Sequence, residues 1–599
     1  MTDDLEFFYS GGLNQKRPEK KGFKERLKNF LKNLLRDRLP DKSQIKNLAG
    51  SLSRKERYLV IGLVFVAILS LSAIPVGYYF SITSAGPDYG GSFTEGLVGE
   101  PRFINPLLLS TDTDRDLVQL IYSGLLKNDG KGNFVPDLAE NFTVSDDGLT
   151  YRFNLRKNVK WHDDRIFSAD DVLFTVRTAQ NQDFSSPQRI NWQGVETTKI
   201  DDFTVEFKLK NPYVQFVNNL NLGILPAHLW QEVKPSNFIL YELNLKPVGT
   251  GPYKFFKLRK DKSGRITSYE LAANKDYFSG RPYIDSIEFK FYSTEEELIQ
   301  SFNLSGVDSL SGVSPANMKN LRFPGKVKIQ KIKIPRYFAV FLNQNQSDIL
   351  SDKNVRLSMA HSVNKDAIIE SISGGGFKVD SPVIPEVFQN FDGSIRKYDY
   401  NPEFAKQILE NSLWQDKDGD GFREKSGKKL EIEMVAPLRK ELTEIGQQLK
   451  KSWEDAGIKV NLANVPIIEL QQNFIQPRNY QALLFGEVLN IEPDPFSFWH
   501  SSQKKDPGLN LALYDSKGAD KLLEEARQTL NPVVRAAKYK DFQNLVIEDL
   551  PAIFLYSPNY LYPQAKKIKG FEEKLLGLPS ERFVNVDKWH IETKRARKQ

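Results

Sequence analysis

The sequence predicts a large mixed α/β or α+β body that follows a single transmembrane helix. The chain has 599 residues, more than one hydrophobic core usually supports, so several domains are expected. The run from Tyr58 to Phe80 carries no charged residue. Beyond it, short β-type runs such as Tyr151–Leu155 alternate with helical stretches such as Leu442–Ala456, and no long internal repeat is visible. This mixture argues against a solenoid or an all-β module.

Composition and charge exclude several classes of protein. The chain contains no cysteine, which excludes disulfides, thiolate metal sites, a cysteine nucleophile and a lipid anchor on an N-terminal cysteine. Residues 1–57 hold 15 basic and 8 acidic residues, so this tail accounts for the whole net charge of +7. The remaining 68 basic and 68 acidic residues cancel. Because the body has no cationic excess to neutralise phosphates, we expect no nucleic-acid partner.

The uncharged run from Tyr58 to Phe80 has the length of a membrane span. As a helix it would cover roughly 34 Å, enough for a hydrocarbon core of about 30 Å. Pro75 would kink or end this helix near its outer end. Basic residues stand immediately before the run, whereas the first charges after it are Asp88 and Glu95. The positive-inside bias therefore predicts an uncleaved anchor in the cell membrane, with residues 1–57 cytoplasmic and the body extracytoplasmic. A cleaved signal peptide or a buried core helix fits less well, because the leading segment is long and the run lacks charge.

Within the basic tail, apolar residues recur at helical spacing among lysines and arginines; they are Phe23, Leu27, Phe30, Leu31 and Leu34. The pattern predicts a basic amphipathic helix on the anionic inner leaflet. A helix that contacts a membrane partner and a disordered basic tail remain open as alternatives. Residues 81–92 are short of large apolar side chains, and we expect them to form a brief spacer before the body.

A series of short motifs follows in order from residue 93. Its clearest members are Glu100–Pro106 (EPRFINP), Trp161–Asp164 (WHDD), Val248–Tyr253 (VGTGPY), Asn354–Asp366 (NVRLSMAHSVNKD) and Ile491–Ser501 (IEPDPFSFWHS). In this order the motifs resemble those of the family 5 extracellular solute-binding proteins, which include the oligopeptide- and dipeptide-binding subunits of ABC importers. Two departures stand out: Asp164 replaces a usual Gly, and Val363-Asn364-Lys365 replaces a usual Ile-Asp-Arg.

The resemblance implies an α/β fold of the two-lobed periplasmic-binding-protein type (type II, with an extra small domain) after the transmembrane helix. Lobe I is expected to combine residues 93–125, 245–335 and 550–589, with the small domain at 126–244 inserted in it. Lobe II is expected at 336–549. The lobes of such proteins close around a ligand by a hinge motion.

The sequence shows no constellation of the reactive groups that an enzyme would need. The five histidines are never paired at metal-ligand spacing, and the motifs HExxH, GxSxG and GxxxxGK[ST] are absent. The segment Asp416–Gly421 resembles a calcium loop, but Gly427 stands where the bidentate Glu would be, so we interpret it as a turn. We therefore expect no catalytic residue, no metal site and no cofactor.

The resemblance also implies where a ligand would bind. An extended peptide would pair with strand edges. The residues expected to line the site are Val98, Gly99 and Glu100 in an early strand, Tyr122 together with Asn343 and Asn345, then Phe485, Gly486, Glu487, Glu492 and Asp494 around the late motif, and Trp499 as an apolar wall. Peptide-binding relatives commonly pair an acidic residue just before the late motif with the ligand's ammonium group. Here Asn490 or Ile491 stands at that place, so Glu492 is the candidate. Glu487 stands where relatives often have Trp.

Together these features predict the substrate-binding receptor of an ABC importer, which captures a peptide between two lobes and delivers it to permease subunits in the same membrane. The departures at Asn490 and Glu487 leave a non-peptide solute open, because members of the family also take up oligosaccharides, nickel chelates and haem. A sensor or adhesion ectodomain and an enzyme on the same scaffold are the remaining alternatives. The tail lacks a kinase or methyl-accepting-type segment, which disfavours the sensor, and the missing catalytic constellation disfavours the enzyme.

Overall fold

The computed structural model describes residues 53–322, 325–372, 374–384 and 394–597. The protein divides into two compact units: Pro87–Lys594 forms one, and the described residues of Met1–Gly86 and Arg595–Gln599 form the other. The predicted amphipathic helix, and the basic tail as far as Leu52, lie outside the described residues.

Strands and helices alternate along the chain. The strands are β1 (Thr83–Pro87), β2 (Ser92–Val98), β3 (Leu126–Asn128), β4 (Phe134–Pro136), β5 (Ala139–Val144), β6 (Thr150–Leu155), β7 (Glu196–Asp201), β8 (Thr204–Lys208), β9 (Tyr253–Lys260), β10 (Ile266–Ala273), β11 (Ser286–Tyr292), β12 (Ser309–Leu310), β13 (Val327–Ile332), β14 (Arg336–Leu342), β15 (Gly376–Lys378), β16 (Glu424–Lys425), β17 (Lys428–Lys429), β18 (Glu431–Pro437), β19 (Lys459–Val465), β20 (Ala482–Val488), β21 (Ala552–Pro558), β22 (Tyr560–Ala565) and β23 (Thr593–Arg597). The α-helices are α1 (Arg54–Ile82), α2 (Asp112–Ile121), α3 (Ala169–Gln180), α4 (Arg189–Trp192), α5 (Ala227–Trp230), α6 (Pro235–Phe238), α7 (Glu295–Asn303), α8 (Asp348–Ser351), α9 (Lys353–His361), α10 (Lys365–Ser371), α11 (Pro402–Asn411), α12 (Lys440–Glu454), α13 (Ile467–Glu469), α14 (Phe496–Trp499), α15 (Lys517–Gln528) and α16 (Pro532–Asp549).

The first helix, α1, contains the whole uncharged run and extends past it at both ends. Ser53 and Glu56 form a capping box at its start, in which Glu56 Oε2 accepts from the Ser53 backbone N–H at 2.8 Å. The backbone stays helical through Pro75 as far as Ile82. Large apolar side chains along the helix are exposed, Phe65 by 61%. Among the described residues this is the one helix that is long and apolar enough to cross a membrane.

The predicted spacer at residues 81–92 is partly a strand. Thr83 and the residues after it lie in β1, which pairs with β23 in a two-stranded sheet. The Arg595 guanidinium donates to the Thr83 carbonyl at 2.8 Å and to Thr83 Oγ1 at 3.0 Å. The sequence pattern did not indicate this strand, because its pairing partner comes from the far C-terminal end of the chain.

Lobe I is built on a seven-stranded sheet with the order β13-β22-β12-β2-β11-β10-β9. β2 runs parallel to β11, with Phe93 opposite Ile287. Alternation along β11 buries Ile287, Phe289 and Phe291, which gives the sheet one apolar face toward the core. Because β22 joins from the C-terminal part of the chain, lobe I combines separate stretches of sequence.

Lobe II is built on a six-stranded sheet with the order β15-β21-β14-β20-β18-β19. β14 is antiparallel to both β20 and β21, with Val340 opposite Leu484 and Ile553. The expected lobe I stretch 550–589 therefore begins too early, since β21 belongs to the sheet of lobe II. The sequence conceals this boundary because β21 and β22 are both apolar and only Asn559 separates them.

The small domain contains an antiparallel four-stranded sheet, β5-β6-β8-β7, and helix α3. A tight turn at Asp147-Gly148 joins β5 to β6. Gly148 has φ +69°, and Asp147 Oδ1 accepts from the Leu149 backbone N–H at 3.0 Å. All of these elements lie within the predicted range 126–244.

Within the described part of the chain, two short segments pass between the two lobes. Residues 333–335 join β13 to β14, and Asn559 alone joins β21 to β22. On the lobe I side of both crossings β13 and β22 are paired, with Ile332 opposite Tyr560. Two short neighbouring crossings restrict the relative movement of the lobes mainly to a rotation about them, which is the geometry of a hinge.

Candidate ligand-binding cleft

A cleft with two sections lies between lobes I and II. The larger section has a volume of about 700 Å³, and residues of both lobes line it, Val98 among them. The smaller section has a volume of about 340 Å³ and is lined by residues of both lobes and the small domain, including 488–491. Pro579 lines the larger section, whereas its neighbours Leu578 and Ser580 line the smaller one, so the sections are adjacent. These volumes suit a small molecule or part of a peptide.

Of the three residues expected at the end of β2, only Val98 lines the cleft, where it is 39% exposed. Gly99 adopts φ +86°, a conformation that favours glycine, and its N–H donates to the Tyr292 carbonyl at 2.9 Å. Glu100 Oε2 accepts from the Ile266 backbone N–H at 2.6 Å. The carboxylate of Glu100 therefore supports the sheet of lobe I, and Val98 presents an apolar side chain to the cleft.

The middle of β20 does not reach the cavity, but its end does. Phe485 and Gly486 are half-buried and line neither section. A Cβ on Gly486 would lie 2.9 Å from the Phe338 ring, and Phe338 lines the larger section, so Gly486 supports the wall from behind. Val488, at the end of the strand, is 55% exposed and lines the smaller section.

Glu487 lies inside lobe II, away from the cleft. It is 3% exposed, and the Tyr337 hydroxyl donates to its Oε2. Its Oε1 has no hydrogen-bond partner in the described part of the chain. Burial raises the pKa of this carboxyl well above its usual value, which favours the neutral acid. The two-residue period of β20 explains the placement, because it turns Glu487 away from the side on which Val488 is exposed.

Glu492 and Asp494 are ion-paired within the protein and line neither section. Arg535 Nε donates to Glu492 Oε1 at 3.1 Å. Arg527 donates two hydrogen bonds to Asp494, from Nε to Oδ1 at 2.9 Å and from Nη2 to Oδ2 at 2.5 Å. The Tyr213 hydroxyl also donates to Asp494 Oδ2, at 3.1 Å. The structure thus corrects the expectation that Glu492 pairs with an ammonium group of the ligand, because Glu492 already forms an ion pair with Arg535.

The remaining expected site residues also support the fold. Tyr122 is 4% exposed, and its hydroxyl has no hydrogen-bond partner among the described residues. Asn343 donates to the Arg478 carbonyl at 3.0 Å and accepts from the Asn345 N–H at 3.1 Å, which fixes the turn after β14. Trp499 is fully buried in the core of lobe II. Since none of them lines either section, the expected apolar wall is not formed by Trp499.

Sequence reasoning missed a basic wall in the larger section, formed by Arg336, Arg439 and Lys440. None of the three forms an ion pair with a residue in the described ranges, and the buried Nε of Arg336 has no hydrogen-bond partner there. Burial lowers the pKa of Arg336, although Glu441 opposes this shift. The wall assembles where β14 and α12 begin, which no linear motif reveals. Such a wall can bind an anionic group. Four acidic residues line other parts of the same section: Asp112, Asp116, Glu295 and Glu441.

His162 is a structural group that ties two of the sequence motifs together. Its Nδ1 accepts from the Gly249 backbone N–H at 3.2 Å, and Nε2 lies 3.1 Å from the Gly251 carbonyl oxygen, which assigns the proton to Nε2. Burial lowers the pKa of His162 to about 4. Through these two hydrogen bonds the neutral imidazole of His162 connects the turn at Gly249–Gly251 to the WHDD segment.

The loop Asp416–Gly421 has the contacts of a turn. Asp416 accepts from the backbone N–H groups of Gly419 and Gly421 at 2.8 and 3.0 Å. Lys429 lies 2.6 Å from Asp420 and 3.4 Å from Asp418. The carboxylates of Asp416, Asp418 and Asp420 are close together but exposed. Backbone N–H groups donate to Asp416, and Lys429 forms ion pairs with Asp418 and Asp420.

Comparison with known proteins identifies the family. Residues 133–508 match the model of the middle region of the bacterial extracellular solute-binding proteins, family 5. The chain belongs to this family. The oligopeptide-binding protein AppA of Bacillus subtilis (strain 168) is 29% identical to it over 561 residues, which cover 90% of this chain and 99% of AppA. The dipeptide-binding protein of Escherichia coli (strain K12) is 25% identical over 516 residues, covering 82% and 93%.

Solved structures confirm the predicted fold. AppA from Bacillus subtilis in complex with a nonapeptide matches with a TM-score of 0.65 and 28% identity, covering 84% of this chain and all of that one. NikZ from Campylobacter jejuni in complex with Ni(L-His) matches with a TM-score of 0.66 and 26% identity, covering 83% and 99%. Family 5 is a family of extracytoplasmic binding proteins, not of enzymes.

Proposed function

We propose that this family 5 protein is the receptor of an ABC importer and captures a peptide between lobes I and II. The observation that carries the proposal is the two-section cleft, which both lobes line and two short crossings span. AppA, which resembles this chain over nearly its whole length, holds a nonapeptide in its solved structure, and this supports a peptide as the ligand class.

The walls of the cleft supply what an extended peptide needs. Val98 and Val488 are exposed at the ends of β2 and β20, where backbone groups can pair with a peptide and apolar side chains can cover it. The basic wall of Arg336, Arg439 and Lys440 offers charge-assisted hydrogen bonds to a carboxylate of the peptide.

Helix α1 is the membrane anchor in this proposal. Arg54, Lys55 and Arg57 lie in its first turns, its large apolar side chains are exposed, and an 18-residue stretch of the helix has a mean hydropathy of 2.7. The positive-inside bias then orients its N-terminal side toward the cytoplasm and the lobes toward the outside. An anchored receptor of this kind delivers its ligand to permease subunits in the same membrane, which are the partners we infer.

Identifying the ligand that is bound to the purified protein tests the proposed function. The full-length chain is purified in detergent, and its bound small molecules are released and analysed by mass spectrometry. We expect peptides, and we expect Val98→Trp, which fills part of the larger section, to reduce their amount at least tenfold. Release of an oligosaccharide, a metal chelate or haem in place of peptides would contradict the peptide assignment while leaving a receptor role intact.

A further inference from the structure

We infer that Glu581 is the counter-ion for an ammonium group of the ligand in the smaller section of the cleft. The inference rests on the proposed function, because a peptide with a free amino end carries such a group. Glu581 lies in a 3-10 helix of lobe I, Pro579–Phe583, on the side of the cleft opposite to the segment that contains Glu492.

Among the residues that the structure describes, a single acidic side chain lies on the wall of the smaller section. Among its lining residues only Arg115 and Glu581 are charged, and Arg115 is paired with Asp112 at 2.9 Å. Most of the other polar lining residues are carboxamides, such as Gln119, Asn221 and Asn490. Carboxamides can accept hydrogen bonds from an ammonium group but cannot neutralise its charge. An ammonium group that enters this section therefore has one carboxylate to pair with.

Glu581 is buried without a cation. It is 8% exposed and forms no ion pair within residues 53–322, 325–372, 374–384 and 394–597. Two hydrogen bonds, from Asn128 Nδ2 at 2.8 Å and from the Gly577 N–H at 2.7 Å, both end on Oε2. Burial raises the pKa of this carboxyl, which reflects the cost of a charge in that position. A cation in the adjacent space would offset that cost.

A purely structural role would explain the hydrogen bonds of Glu581 but not its charge. The bond to the Gly577 N–H holds the chain ahead of the 3-10 helix, as a cap does. A glutamine carbonyl in the same place could accept both bonds equally well. The capacity of Glu581 to carry a negative charge is therefore the property that these two hydrogen bonds do not require.

Asn490 faces the same section from lobe II. A Cβ on Gly577 would lie 3.0 Å from Ile491 Cγ1, so the loop of Glu581 abuts the segment that contains Asn490. Asn490 is exposed, and its carboxamide makes no hydrogen bond to any residue that the structure describes. An aspartate at position 490 would return a carboxylate to the section from the opposite wall, which provides a compensating variant.

The experiment compares two ligand pools on the full-length chain in nanodiscs. A synthetic pool of random nonapeptides is prepared once with free amino ends and once acetylated, and apparent affinities are measured by titration with native mass spectrometry. We expect the wild type to bind the free pool at least tenfold more tightly than the acetylated pool. Glu581→Gln should weaken binding of the free pool at least tenfold and leave the acetylated pool unchanged. Adding Asn490→Asp to Glu581→Gln should recover part of the loss.

The outcomes separate this inference from the proposed function. Equal weakening of both pools by Glu581→Gln would assign Glu581 to the scaffold alone and overturn the inference, as would a wild type that does not distinguish the pools. A wild type that binds neither pool would overturn the peptide proposal itself, and the inference with it. Glu572→Gln, which removes an exposed negative charge nine residues earlier in the chain and outside the lining of the section, is the matched control and should change neither affinity.

Discussion

At the scale of single residues, many polar groups near the cleft are engaged within the protein. Glu100, Glu492 and Asp494 are held by a backbone N–H or an arginine. The sequence motifs place these acidic residues in or beside segments that reach the cleft. They could not assign the partners, because Arg535 and Arg527 lie on helices 43 and 33 residues further along the chain.

His162 gives a pH-dependent test at this scale. Its pKa is about 4 in the folded protein and about 6.5 in the unfolded chain, so its contribution to stability is present above pH 6.5 and is lost as the pH falls toward 4. We expect the wild type to lose about 2 kcal/mol of unfolding free energy from this group between about pH 7 and pH 5. Urea denaturation of the wild type and His162→Gln measures it. An identical pH dependence in both proteins would contradict the assignment.

The Arg527–Asp494 pair gives a second test. Asp494 is 8% exposed, so removing the arginine would leave a buried carboxylate without its cation. We expect Arg527→Met to lower the unfolding free energy by about 3 kcal/mol. Tyr213→Phe, which removes only the hydroxyl bound to Asp494, should cost about 1 kcal/mol. Equal effects of the two substitutions would show that the ion pair does not dominate this contact.

At the scale of elements, the sequence was informative where the signal is local. The uncharged run predicted α1, and the ordered motifs predicted the two-lobed fold. The sequence did not predict which strands from distant parts of the chain pair with each other. β1 pairs with β23, and β21 joins lobe II although only Asn559 separates it from β22 in lobe I. Strand membership in a sheet depends on tertiary contacts, which hydrophobic periodicity does not encode.

The division of the chain into two units predicts that the anchor is separable. Pro87–Lys594 has its own sheets and cores, so we expect it to fold and to bind ligand when expressed without residues 1–86. Sedimentation velocity and far-UV circular dichroism should show a soluble, folded monomer. Aggregated or unfolded material would show that the body depends on the N-terminal unit.

At the scale of the whole molecule, a buried ionic network fixes the C-terminal segment in lobe I. Arg582 pairs with Asp116 at 2.5 Å and with Glu95 at 3.0 Å, and all three side chains are essentially inaccessible. Glu581, next to Arg582, faces the smaller section of the cleft instead. The network therefore ties one wall of the cleft to the core of lobe I, and the two short crossings at residues 333–335 and Asn559 connect that lobe to lobe II.

The proposed function requires lobes I and II to close around a peptide. The chain has no cysteine, so Ser263→Cys in lobe I and Lys417→Cys in lobe II, both at exposed sites, allow two spin labels to be attached without background. Pulsed electron paramagnetic resonance then measures the distance between the lobes on the full-length chain in nanodiscs. We predict that saturation with the random nonapeptide pool shifts the distance distribution and narrows it to one population. Identical distributions with and without the peptides would contradict closure on a peptide.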